Sequence, residues 1–237
     1  FGHAVSLSKD GSVLVVSAIY DDNTGTNAGS VYTYELVKQP ITSIVEMGTP
    51  ISGQPYDNSQ FGFSVSSNAD GTVIAIGSIL KDDPLFDSGG VYIYKWEGNN
   101  WNNIGYIGGE NYYDLFGNSV SLNGDGTRVA IGSKANQGVG GSLSGHVRVH
   151  EWNGSTWDQM GADIDGEATN DNSGHSVSLS DDGSIVAIAA PQHDGGKGHV
   201  RVYKWDGSSW QQRGNDIDGE AAGDESGQSI SLSADGT

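Results

Sequence analysis

The sequence has 237 residues, with 30 Asp and Glu against 11 Lys and Arg, and a formal net charge of −19. A field of that sign excludes nucleic acid and anionic membranes as partners gripped through overall charge, and leaves cations, cationic surfaces and neutral glycans open. The absence of cysteine removes disulfides and cysteine–metal sites, and no apolar run approaches the roughly 20 residues of a spanning helix, so direct membrane insertion is not expected.

The pattern is already under way at Phe1-Gly2, so the sequence reads as a piece of something longer. A first strand alternates through Val5-Ser6-Leu7 and stops at Asp10-Gly11. Asp-Gly between apolar runs is a hairpin signal, because both residues tolerate the positive φ that primed turns require. The second strand, Val13 to Ile19, is almost continuously apolar, as suits a strand buried on both faces. The third, Val31 to Tyr34, alternates again. The unit then recurs from Gly62, Gly117 and Gly174, and starts once more at Gly227, at spacings of 60, 55, 57 and 53 residues. In the later repeats a second turn (97–100, 153–156, 206–209) is flanked by Trp96/Trp101, Trp152/Trp157 and Trp205/Trp210, which read as packing pairs, and a fourth strand starts at the second Trp. No segment carries a helical period. Such self-similarity predicts an all-β fold, a β-propeller of four-stranded antiparallel blades. The predicted blades are 1–60, 61–115, 116–172 and 173–225, with 226–237 beginning a fifth, all in one domain.

The Phe-Gly starts (Phe1-Gly2, Phe61-Gly62, Phe116-Gly117), the strand Ala130-Ile131-Gly132-Ser133 with its counterpart Ala187 to Pro191, and the strand Gly198 to Tyr203 resemble FG-GAP repeats. The resemblance implies the propeller of integrin α heads and other extracellular proteins, and hence a ring of about seven blades, extracellular or cell-surface location, and a role in adhesion. Many FG-GAP repeats hold calcium in the first hairpin. Here Ser121, Asn123 and Asp125 stand where that loop carries more carboxylates, and the reading is a plain Asp-Gly turn.

In an up-and-down blade, the loops between second and third strands share one face with the inter-blade loops. That face collects most of the acidic residues. Asp163, Asp165, Glu167 and Asp171, repeated as Asp216, Asp218, Glu220 and Asp224, are the candidate calcium ligands, against the alternative of a solvated rim. Tyr56, Phe86, Tyr112 and Tyr113 lie in loops of this face without recurring, and are candidates for partner contact. Asn153-Gly154-Ser155 is a glycosylation sequon in an exposed turn. The histidines at recurring positions, His3/His175 and His146/His199, read as frame residues, and no catalytic motif is present. The expectation is therefore a non-enzymatic extracellular adhesion or assembly module with a protein or glycan partner. A glycan-binding propeller and a polysaccharide-cleaving enzyme stand as the alternatives.

Overall fold

Each Asp-Gly pair reverses the chain through the left-handed region, with Gly11, Gly71, Gly126, Gly183 and Gly236 at φ of +67° to +75°. A polar side chain three residues ahead of the glycine closes the turn. Ser8 Oγ accepts the Val13 N–H, Asn68 Oδ1 that of Val73, Asn123 Oδ1 that of Arg128 and Ser180 Oγ that of Ile185, at 2.8–3.0 Å. The Asp carboxylates accept the backbone N–H two residues on, at Ser12, Thr72, Thr127 and Ser184. These turns are complete from their own hydrogen bonds, as the plain-turn reading expects.

The computed structural model describes residues 1–22, 27–37, 43–54, 58–82 and 85–237. It is all-β, with four antiparallel sheets. The first holds β1 (Val5–Leu7), β2 (Val13–Ala18), β3 (Ser30–Val37), β4 (Ser43–Glu46) and β5 (Ile51–Ser52). The second holds β6 (Phe61–Ser67), β7 (Val73–Ser78), β8 (Gly90–Trp96) and β9 (Trp101–Gly108). The third holds β10 (Ser119–Leu122), β11 (Arg128–Ser133), β12 (His146–Trp152), β13 (Trp157–Gln159) and β14 (Ile164–Asp165). The fourth holds β15 (Ser176–Leu179), β16 (Ile185–Ala190), β17 (His199–Trp205), β18 (Trp210–Gln212) and β19 (Ile217–Asp218). The expected single outer strand is thus split in three blades, both pieces pairing with the third strand. Gly48, Gly161 and Gly214 at φ +70° to +81° break it there. In the second blade β9 runs through Gly105 and absorbs the offset as a register shift between Ile93 and Tyr94.

The core lies between sheets. Val13, Val15, Val31 and Ile51 meet Phe61, Ile74 and Ile76 at the first seam. Val73, Ala75, Val91, Ile93 and Ile107 meet Phe116, Leu122, Val129 and Ile131 at the second. Ala130, Val147, Val149, Met160 and Ile164 meet Val177, Leu179, Val186 and Ile188 at the third. Alternate residues of one second strand therefore serve opposite seams, Val73 and Ala75 facing forward and Ile74 and Ile76 facing back, which is why the strand is apolar throughout. Trp101 Nε1 donates to Thr33 Oγ1 and Trp210 Nε1 to Met160 O, each across a seam, so the Trp pairs pack blade against blade.

The first strands face one another around the axis. A hydroxyl at one repeat position stitches every seam: Ser6, Ser66, Ser121 and Ser178 Oγ accept the N–H of Ser67, Leu122, Leu179 and Leu232 at 2.9–3.0 Å. At the turn end a backbone chain runs Asp10 N–H to Ala69 O, Ala69 N–H to Gly124 O, Gly124 N–H to Asp181 O and Asp181 N–H to Ala234 O. A Lys9–Asp181 ion pair spans the first and fourth turns, beside an axial hollow of about 360 Å³ lined by Leu7, Leu122, Leu179 and Leu232. At the opposite end inter-blade loops bond to the second-to-third-strand loops, as in Tyr113 N–H to Phe86 O, Asn172 N–H to Leu143 O and Ser226 N–H to Lys197 O. The two-faced arrangement of loops is therefore present.

Candidate functional site

The loop face of the third and fourth blades gathers His, Asp, Glu and Arg side chains, and strand register brings them together. His146 opens β12 opposite Asp165 of β14, and His199 opens β17 opposite Asp218 of β19. Asp163 and Asp216 stand two residues earlier in the chain than these aspartates, on the same side of the strand. His146 Nδ1 lies 3.4 Å from Asp163 Oδ2, and His199 Nδ1 lies 3.6 Å from Asp216 Oδ2. In each blade the three donor atoms fall within 4.8 Å of one another. Both imidazoles are buried, at 2% and 0% side-chain exposure, and His146 Nε2 and both His199 nitrogens make no hydrogen bond. Burial drives the His146 pKa down to about 4 against the pull of Asp163. His199 is lowered by burial, His193 and Arg201. Burial and the adjacent Asp163 push the Asp165 carboxyl up.

An arginine follows each histidine by two residues. Arg148 Nη1 donates to Glu110 Oε1 at 2.6 Å, and its guanidinium lies 4.2 Å from the Phe116 ring centroid. Arg201 Nη2 donates to Asp165 O at 2.8 Å, and Nη1 sits 3.3 Å from Glu167 Oε1. Each arginine thereby ties a third strand to the loop of the preceding blade.

Between blades three and four a histidine–aspartate dyad completes the cluster. Asp171 is 2% exposed, and its Oδ2 accepts the Ala168 N–H at 2.9 Å and meets His193 Nδ1 at 2.9 Å. An accepting carboxylate makes Nδ1 the protonated nitrogen and leaves Nε2 with a free lone pair. His193 stacks on His199 at 4.0 Å, and its ring joins His199 and Glu167 within 4.8 Å. The single turn holding it, 193–196, has Asp194, Gly195 and Gly196 at φ of +48°, +69° and +83°, the two glycines taking the left-handed region without steric cost. A hollow of about 350 Å³ lies between this turn and Ala168–Asp171.

The predicted calcium ligands are thus divided. Asp163 and Asp165 meet His146, Asp216 and Asp218 meet His199, and Glu167 meets Arg201 and the stacked histidines. Asp171 orients His193, Asp224 accepts the Ala221 N–H of its own loop at 2.7 Å, and Glu220 is exposed. Phe86, Tyr112 and Tyr113 are exposed, with Phe86 and Tyr113 in edge contact at 5.6 Å; Tyr56 lies outside the described residues. Asn153 is exposed, its Oδ1 accepting the Ser155 and Thr156 N–H groups. The expectation that passed over His146, His199, Arg148 and Arg201 missed a legible signal. His-Val-Arg-Val occurs twice, each time 17 residues ahead of Asp-Ile-Asp-Gly-Glu.

Residues 1–34 match the FG-GAP repeat model, and the chain is FG-GAP-like. No curated protein matches the sequence. Among solved structures it is similar to a proposed 6-phosphogluconolactonase of Bacteroides uniformis, at 12% identity and a TM-score of 0.63 over 92% of this chain and 55% of that one. It is also similar to the periplasmic gluconolactonase of Pseudomonas aeruginosa, at 13% identity and TM-score 0.61 over 93% and 58%, and to a proposed 6-phosphogluconolactonase of Bacteroides fragilis, at 12% and 0.62 over 91% and 54%. The chain spans little more than half the length of these structures, and at such identities the likeness shows the fold. It also corrects the expectation of a non-enzymatic adhesion or assembly module. These three proteins bear the names of lactonases, so the enzyme alternative fits better than the reading drawn from integrin heads. That reading followed the repeat, which specifies blades and is silent on the loops between them.

Proposed function

We propose that this FG-GAP-like propeller is a hydrolase acting on a cyclic sugar ester, a lactone, with its chemistry at the seam between the third and fourth blades. The observation that carries the reading is the Asp171–His193 dyad. At the equivalent place one blade earlier, Asp114 holds the amide of Asn136. The frame is satisfied by an amide there, and the imidazole adds what an amide lacks, a ring nitrogen with a lone pair that can accept a proton. The lactonase names of the fold relatives supply the substrate class. The periplasmic relative and the FG-GAP repeat support a location outside the cytoplasm.

In this reading His193 Nε2 takes a proton from water as the water oxygen bonds to the lactone carbonyl carbon, and the carbonyl oxygen becomes an oxyanion. The oxyanion collapses, the ring C–O bond breaks, and the departing alkoxide takes the proton back from His193, giving the open hydroxy acid. Asp171 holds the ring in the tautomer that this needs. The test is hydrolysis of glucono-δ-lactone by the native full-length protein, followed by acid release in a pH-stat. Acceleration over buffer that disappears in His193→Asn supports the reading. No acceleration with δ- or γ-lactones, or full activity in His193→Asn, ends it.

A further inference from the structure

We propose that His199, Asp216 and Asp218 hold a divalent transition-metal cation, with zinc the best fit to the donors, and that His146, Asp163 and Asp165 hold a second in the same way. Neither site depends on the hydrolase reading.

Spacing is the first argument. The His–Asp separations of 3.4 and 3.6 Å are long for a hydrogen bond between nitrogen and carboxylate. They suit two ligands of one tetrahedral ion, since metal–ligand bonds of about 2.1 Å put neighbouring donors about 3.4 Å apart. The second argument is the state of the imidazoles. A fully buried His199 with neither nitrogen hydrogen-bonded is a costly arrangement, and its Nδ1 faces the Asp216 carboxylate. A cation between them would satisfy both.

The remaining blades supply the third argument, because they show what the fold requires at these positions without chemistry. In the second blade His199, Asp216 and Asp218 correspond to Gly90, Tyr106 and Gly108. There the Tyr106 ring lies where a side chain on Gly90 would go. In the first blade Ser30 and Ser52 occupy the paired positions and close on each other, Oγ to Oγ at 3.2 Å. The ring fills the space, and the hydroxyl pair closes on itself. Only the third and fourth blades open the place to three donors, and they do so with identical residue types. The charge also balances: two carboxylates and a neutral imidazole match a divalent ion, while Arg148 and Arg201 are offset by Glu110 and Glu167. A nitrogen donor and only three protein ligands suit zinc, where calcium takes some 6–8 oxygens.

The experiment titrates zinc chloride into the native protein stripped with chelator, read by calorimetry, with cobalt(II) absorption as the geometric probe. About two equivalents of zinc are expected, with visible cobalt bands of tetrahedral type. His199→Gln or Asp218→Asn should remove one equivalent, and His146→Gln or Asp165→Asn the other. If a buried-histidine variant fails to fold, the Asn variants at the less buried carboxylates decide. The proposal is overturned if zinc gives no heat, if the Asp165→Asn/Asp218→Asn double variant still binds about two equivalents, or if calcium chloride binds as tightly as zinc.

Discussion

The second and fourth blades share hairpin, seam and the order of their first three strands; they differ in the outer strand, continuous in one and split in the other, and at the loop end. Where the second has Gly90, Tyr106 and Gly108, the fourth has His199, Asp216 and Asp218; and where Asp114 clamps Asn136 at the join of the second and third blades, Asp171 clamps His193 at the join of the third and fourth. The Phe-Gly ring follows the same division. Phe61 meets Tyr92 edge-on, Phe116 carries Arg148, and the fourth blade has Ser173 with Arg201 above Tyr203. A blade therefore tolerates wholesale exchange at the mouth of its third strand, because folding depends on the turns and seams elsewhere. The mouth is where chemistry can be added at little structural cost.

The largest expected effect erases the contrast between the two clamps. His193→Asn recreates the preceding blade's Asp–amide pair and should lower lactone hydrolysis by about 10²–10⁴-fold, the usual worth of a general base, with the thermal midpoint nearly unchanged. A large loss of stability would mean that the imidazole serves the frame.

The next contrast is His150, which occupies the position of Tyr34, Tyr94 and Tyr203 in the other blades. Burial, with Arg148 nearby, lowers its pKa to about 4. The folded pKa lies below the unfolded value of about 6.5, so the neutral form's stability is intact above that pH and is lost as pH falls toward 4. The loss approaches about 3 kcal/mol. Urea midpoints measured from pH 7 to pH 4 should fall less steeply in His150→Tyr; parallel curves would refute the assignment.

Gly90→Ala pushes a methyl into the Tyr106 ring and should cost about 1–2 kcal/mol. Adding Tyr106→Asp should recover part of it, which a double-mutant cycle in urea reads directly. The smallest effect is at a seam. Ser121→Ala removes the acceptor of the Leu179 N–H and should cost about 1 kcal/mol. An unchanged urea midpoint would show that solvent replaces the hydroxyl.

Period and turn chemistry made the blades legible. Asp-Gly every 53–60 residues announced hairpins, and the unbroken apolar second strands announced burial between two seams. The broken outer strand was not legible, because it depends on whether Gly48, Gly105, Gly161 or Gly214 takes positive φ, and a glycine's identity does not say which it will adopt. The site was half legible. The recurring carboxylates stood out as a charge pattern, but their histidine partners come from a strand 17 residues away and meet them only through register. His193 was hidden differently: it replaces Asn136 at a repeat position, a change visible only once the two blades are superposed.

The hydroxyl stitch at the axis carries a consequence for the whole architecture. Because Ser6, Ser66, Ser121 and Ser178 each offer the same group to the same backbone position of the following blade, this part of the joint is not keyed to a particular neighbour. The molecule has a direction of travel but no address labels. How many blades such a chain can wind into a circle is then set by the angle at which successive sheets lean together, and duplication of an internal blade would leave this stitch intact at either join.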